Sequence, residues 1–180
     1  DFDVYSMLTI PDITTEILNV AFFFCTALTR VVIPDSVKTI GNGAFVGCSA
    51  LTSVVIGDNV TSIEGEAFKD CSALANVVIG DSVESIGQDV FQGTALTSVT
   101  MNANISFDKD TFGGCASLTT LVIGNSVETI GGEAFKGCSQ LDSIIIGDSV
   151  KTIENEAFDG CRQLDRIIIG NSVESIGLDV

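Results

Sequence analysis

The chain of 180 residues has no histidine, no tryptophan, a single tyrosine, and only 8 lysines and arginines against 24 aspartates and glutamates. Histidine is the side chain most often recruited for proton transfer near neutral pH, and no serine or cysteine stands beside a base at a unique position. Neither acid–base nor nucleophilic catalysis therefore has its parts, and no enzyme is expected. The shortage of basic side chains, with a formal net charge of −16, excludes nucleic acid as a partner, because its phosphates would be repelled. Apolar runs are short: the longest, "ILNVAFFFCTAL" at 17–28, falls below the roughly 18–20 residues of a membrane-spanning helix. A leader is also missing. The opening "DFDVYSML" shows neither an initiator methionine nor a basic stretch followed by an apolar one, so any secretion signal is expected to have been removed or to lie outside this sequence. At the other end "IGLDV" stops where the matching "IGQDVF" would next place a phenylalanine, which reads as a cut through a longer array.

What is present is repetition. At 46% hydrophobic residues the chain is not intrinsically disordered. Phe22, Phe45, Phe68 and Phe91 are each 23 residues apart, Phe112 follows after 21, and Phe135 and Phe158 restore the 23. Cys25, Cys48, Cys71, Cys115, Cys138 and Cys161 keep the same beat, with Thr94 standing where one is missing. Residues 1–180 are thus one array of about seven and a half repeats, with an irregular 21-residue repeat around 91–112.

One unit reads C-x-x-L-x-x-V-x-I-G-[DN]-[SN]-V-x-x-I-G-x-[DE]-A-F-x-G. "LTSVVIG" alternates β-branched residues and predicts a short strand; Gly57-Asp58-Asn59 turns the chain, and "VTSI" predicts a second short strand. "GEAFKGC", with a carboxylate before Ala-Phe and a glycine before Cys, carries the marks of a single helical or 3₁₀ turn with an acidic start and a glycine stop. A unit this small cannot bury its own apolar residues, but stacked units can, each meeting its counterpart about 4.8 Å away along the sheet direction. The expectation is a parallel β-solenoid with a continuous sheet on one face.

The unit, as "LTSVVIG" followed by "SIGxxAFxGC", resembles the BspA-type leucine-rich repeat over essentially the whole chain, although its strand positions favour Val and Ile where the wider superfamily favours Leu. The resemblance implies a mainly β, right-handed, curved solenoid. One short parallel strand per repeat builds the main sheet, and a second short strand and a helical or 3₁₀ turn lie on the opposite side. It also implies a secreted or cell-surface protein used for adhesion or protein binding, whose partner is a protein, matrix or surface ligand. The family motif holds only scaffold positions, so no binding residue and no cofactor carries over.

Four sets of residues are candidates for chemistry. The six cysteines suit a column of buried small side chains. Parallel side chains at about 4.8 Å fit a disulfide poorly, and a straight column without histidine offers zinc no tetrahedral set. Glu66, Asp89, Asp110, Glu133, Glu156 and Asp179 all lie two residues before the phenylalanine position. They read either as a solvated acidic edge or as a weak calcium-binding column, which supplies one group per rung where calcium takes 6 or more oxygens. Third, if Val54 and Ile56 point inward, Val55 points out. Its counterparts Thr9, Val32, Val78, Thr100, Val122, Ile145 and Ile168 then form an outward β-branched stripe, flanked by Arg30, Ser53, Asn76, Ser98, Thr120, Ser143 and Arg166. That stripe either serves strand formation alone or is a binding or assembly face. Fourth, Asn59-Val60-Thr61 and Asn104-Ile105-Ser106 are either turn vocabulary or N-glycosylation acceptors. Two functions follow: a non-enzymatic binding or adhesion module using the sheet face, or a structural protein that assembles end-to-end, through its open solenoid ends, or side-by-side into filaments or an extracellular layer.

Overall fold

The computed structural model describes residues 7–101, 105 and 109–180. Its strands, in chain order, are β1 (Met7–Thr9), β2 (Glu16–Ile17), β3 (Arg30–Val32), β4 (Thr39–Ile40), β5 (Ser53–Val55), β6 (Ser62–Ile63), β7 (Asn76–Val78) and β8 (Ser85–Ile86). They continue as β9 (Ser98–Met101), β10 (Thr120–Ile123), β11 (Thr129–Ile130), β12 (Ser143–Ile146), β13 (Thr152–Ile153), β14 (Arg166–Ile169) and β15 (Ser175–Ile176). Each pairing among them is parallel and joins equivalent strands of neighbouring rungs, as in Val31 with Val54 and Leu121 with Ile144. The longer strands form the main sheet and the two-residue strands the second. The result is a parallel β-solenoid in which each repeat is one rung.

The expected helical turn is absent, and among the described residues there is no helix. The reason lies in how the backbone bonds are shared. Ala44, Val46 and Cys48 donate to carbonyls three residues back, at Gly41, Gly43 and Phe45 (3.1–3.2 Å), whereas the alternate amides of Gly43, Phe45 and Gly47 donate to Gly65, Ala67 and Lys69 of the next rung (2.8–2.9 Å). A 3₁₀ helix would use every amide within its own turn. Here every second one ties rung to rung, which satisfies the buried backbone and fixes the stacking at once.

This alternation requires two left-handed residues per turn. One column is mainly glycine, at Gly47, Gly93, Gly114, Gly137 and Gly160 with φ between 68° and 78°, and Asp70 and Phe24 interrupt it. The other holds Val20, Gly43 and the carboxylates Glu66, Asp89, Asp110, Glu133, Glu156 and Asp179, with φ between 52° and 61°. The carboxylates therefore sit at sharp bends of the chain and not at a helix start. Left-handed backbone costs an L-residue roughly 1–2 kcal/mol. The stacking bonds on either side hold it there.

Inside the rungs the phenylalanines stack face to face in one file. From Phe22 through Phe45, Phe68, Phe91, Phe112 and Phe135 to Phe158 successive ring centroids lie 5.1–5.6 Å apart with interplanar angles of 2–12°. Around them Leu51, Val54, Ile56, Val60 and Ile63 are buried, as are most of their counterparts in the inner rungs. The cysteines complete the filling. The Sγ–H groups of Cys48, Cys71, Cys115, Cys138 and Cys161 each donate to a phenylalanine carbonyl of the preceding rung, at Phe22, Phe45, Phe91, Phe112 and Phe135 (3.1–3.4 Å). Thr94, in a cysteine position, departs from that pattern and donates to Phe91 O of its own rung at 2.8 Å.

Candidate functional site

The outward column of the main sheet follows from strand alternation. In β5 the pattern is Ser53 half-buried, Val54 buried and Val55 exposed, and β12 repeats it with Ser143, Ile144 and Ile145. Thr9, Val55, Val78, Thr100, Ile145 and Ile168 are exposed, while Val32 and Val122 are half-buried. Val78, at 72% of its surface, is the most open of the valines in this column. Beside it, Arg30, Asn76, Ser98 and Arg166 are exposed and Ser53, Thr120 and Ser143 half-buried. From β5 to β12 the two columns carry no charged side chain, and arginines stand at the first and last flanking positions, Arg30 and Arg166. On a chain of net charge −16 this is a long, narrow, neutral strip.

The carboxylate column is built differently from a bare acidic file. Sequence spacing places like charges about 5 Å apart, yet lysines are interleaved with them. Lys69 bridges Glu66 (3.3 Å) and Asp89 of the next rung (3.0 Å), Lys109 reaches Glu133 (2.8 Å), and Lys136 holds Glu133 (3.0 Å) together with Glu156. Among the described residues no group of three or more His, Cys, Asp or Glu side chains converges as a metal would require. The hydrogen bonds from Lys109 and then Lys136 hold the Glu133 carboxyl below its usual value. Burial, then the charges of Glu133 and Asp89, push Asp110 up. The interleaving escaped the sequence reading because its signal is a lysine three residues after one carboxylate and about 20 before the next, a distance that becomes short only when rungs stack.

Glu133 is a carboxylate with a lowered pKa, so it contributes stability above its unfolded value of about 4.3 and loses it as pH falls through the lower folded value. Protein carrying Lys136→Met should show a flatter fall of Tm with acidification below that pH than the wild type. Identical profiles in a thermal melt series would show that the exposed network contributes nothing.

The cysteines fill the core; the hydrogen bond with Cys71 lowers the Cys48 thiol, and four others are raised. All six are free, Cys48, Cys71, Cys115 and Cys138 buried and Cys25 and Cys161 half-buried. Burial pushes the thiols of Cys115 and Cys161 up to about 11 and raises Cys138 as well. Cys71 is raised by its hydrogen bond with the Cys48 sulfur and by burial. Thiols held this high are poor nucleophiles at neutral pH. Six alkylated cysteines are expected by mass spectrometry after denaturation without reductant, and any smaller number would reveal a disulfide.

Asn59 lies exposed in the turn after β5; Asn104 lies outside the described residues. Other turn residues take a scaffold role that the sequence pattern did not disclose. Asn19, Asp35, Asn125, Asp148 and Asn155 each accept, through a side-chain oxygen, the backbone N–H of Asn42, Asp58, Asp148, Asn171 and Leu178 one rung on (2.8–3.1 Å). At Asn125 and Asp148 after the repeat glycine, and at Asp35 after a proline, the recurrent Asp or Asn is thus a rung of a hydrogen-bond ladder, and Asn19 and Asn155 make the same bond three residues before the phenylalanine position.

Known proteins agree with this architecture. The model of the BspA type leucine rich repeat region matches in six copies, over residues 4–115 and 105–180. No curated protein matches the sequence. Among solved structures, the leucine-rich repeat protein TpLRR of T. pallidum is 33% identical with a TM-score of 0.68, over 95% of this chain and 72% of that one. A leucine-rich repeat protein from Bacteroides ovatus is 28% identical with a TM-score of 0.54, over 96% of this chain and 57% of that one. The pneumococcal vaccine antigen PcpA, at 21% identity and a TM-score of 0.52 over 96% of this chain and 58% of that one, shares the fold. This chain spans little more than half the length of the last two. By its repeat, its stacked rungs and the family match, the chain belongs to the BspA-type leucine-rich repeat family.

Proposed function

We propose that this chain is a protein-binding or adhesion module of a secreted or cell-surface protein, and that the outward face of the main sheet is its contact surface. One observation carries the reading: the exposed column through Val55, Val78, Thr100 and Ile145 is an uncharged β-branched strip on a strongly acidic chain. Scattered apolar residues need no explanation, but a contiguous apolar strip marks an interaction surface. Its neutrality removes the repulsion that the rest of the molecule would exert on an acidic partner.

The test is a triple substitution, Val55→Lys, Val78→Lys and Val122→Lys, in which only solvent-facing or half-buried positions change. Thermal stability should stay close to wild type, while binding to intact cells or to matrix-coated surfaces falls at least about tenfold, the scale of losing central contacts at an interface. Undiminished binding by the folded variant would sink the proposal.

A second reading, assembly of rungs end to end, has its own observation. Ile167 is 49% exposed at the last rung, whereas its counterpart Ile144 one rung before is fully buried. That surface fits a further rung, supplied by a continuation of the chain or by a second copy. Sedimentation over a range of concentrations separates the two readings: growing polymers favour assembly, and a constant monomer favours the binding module.

A further inference from the structure

A repeated unit should stack with equal joins, and one join here is unlike the rest. Strands β1, β3, β5 and β7 form one hydrogen-bonded set and β9, β10, β12 and β14 another, so the main-sheet ladder is interrupted between β7 and β9. On the turn side the backbone bonds that cross this join are long. Asp89 N to Lys109 O is 3.4 Å and Gly93 N to Gly113 O 3.3 Å, with only Phe91 N to Thr111 O at 2.9 Å. The corresponding turn bonds of an ordinary join, from Gly43, Phe45 and Gly47, are 2.8–2.9 Å. Beneath the interruption Val77 is half-buried, whereas Val54 and Val99 on either side are buried.

The cause is visible in the spacing. Phe91 and Phe112 are 21 residues apart and not 23, yet their rings still stack at 5.2 Å. The chain keeps its aromatic anchors in register across the short repeat, while the ladder between β7 and β9 is lost. Along that aromatic spine Thr94, the residue that replaces a cysteine, adds a pin. Its hydroxyl donates to Phe91 O at 2.8 Å and lies 3.3 Å from Cys115 Sγ of the next rung.

We propose that the join between β7 and β9 is a hinge, which divides the array into two cooperative blocks held together by the phenylalanine stack and Thr94 and opening first on the sheet side. In a repeat protein stability is a sum of unit and nearest-neighbour terms, so the weakest join sets where the array opens. The strip assigned above to binding crosses this hinge, and a partner spanning Val55 and Val122 would fix its angle. The hinge itself rests on the backbone and stands whether or not that assignment does.

Amide hydrogen exchange on the unbound full chain tests it without any partner. The amides of Val77, Val78 and Val99 are expected to exchange at least about tenfold faster than those of Val54 and Ile144, as opening of a separate structural unit implies. Equal protection across these strands would overturn the hinge. In a second arm Thr94→Val removes the hydroxyl at nearly constant volume. Faster exchange confined to Phe91, Gly93 and Cys115, with β5 and β12 unchanged, supports the pin. Acceleration spread evenly along the array would show one cooperative unit and contradict the proposal, and should the variant fail to fold, the wild-type comparison decides alone.

Discussion

Phe135→Ala is expected to destabilise the protein by about 3–5 kcal/mol, the range for truncating a fully buried aromatic side chain, and to bring the denaturant midpoint down accordingly. Phe135 is fully buried and is stacked on both faces, against Phe112 at 5.1 Å and Phe158 at 5.5 Å. Its loss empties one position in a file and removes two stacked pairs, a further cost of about 0.5–1.5 kcal/mol per aromatic pair. Phe22→Ala is the internal comparison, because Phe22 is only half-buried and, among the described residues, stacks on one side alone, against Phe45. If both substitutions cost the same in urea unfolding, the stack is not the shared core described here.

The second large effect is expected at a residue with no side chain. A Cβ placed on Gly147 would lie 2.6 Å from Asn125 Oδ1 and 2.7 Å from the carbonyl carbon and oxygen of Gly124, all in the preceding rung. Two of those atoms are backbone and cannot move aside without parting the rungs. The third accepts the Asp148 N–H at 2.9 Å. Gly147→Ala should therefore cost about 2–4 kcal/mol, combining overpacking with a strained inter-rung hydrogen bond. Gly114→Ala separates this cause from backbone conformation. Gly114 has φ near 68° but open space around its Cβ position, so only the left-handed penalty of roughly 1–2 kcal/mol applies. A Gly147→Ala variant as stable as wild type would mean that the glycines after the main strands serve turn geometry and not close approach.

Much of this fold was legible because a solenoid converts sequence period into spatial contact with little remainder. The 23-residue beat of Phe45, Phe68 and Phe91 became a stack, and the alternation in "LTSVVIG" became strands with Val54 inside and Val55 outside. The glycine before four of the six cysteines marked a stop, and the structure gives a left-handed conformation to Gly47, Gly114, Gly137 and Gly160, as it does to Gly93 before Thr94. The helical turn was misread because "GEAFKGC" has the local composition of one. Which carbonyl an amide such as that of Phe45 chooses is decided by the next rung, and Ala67 O is not adjacent in the sequence.

The same limit applies to the candidate surfaces. The file of carboxylates was visible, but its neutralisation by Lys69, Lys109 and Lys136 depends on pairs about 20 residues apart whose contact is a product of stacking. The interruption between β7 and β9 shows in sequence only as two missing residues. Which of the two keeps its register, the aromatic file or the main-sheet ladder, is settled by packing: stacked rings lose far more by separating than a two- or three-residue ladder does. The outward strip was fully legible, since alternation alone places Val55, Thr100 and Ile145 outside. What it touches depends on chemistry that the other molecule supplies.

That contact is the most direct test of the account. A photo-crosslinking side chain placed at Val78, at the centre of the main-sheet strip, is compared with one at Ser62 on the second sheet, both exposed to intact cells or to matrix from the source. The account predicts crosslinks from position 78 that are competed away by excess wild-type protein and not by the folded triple-lysine variant, with little capture from position 62. Equal capture from both positions, or competition by that variant as effective as by wild type, would contradict it.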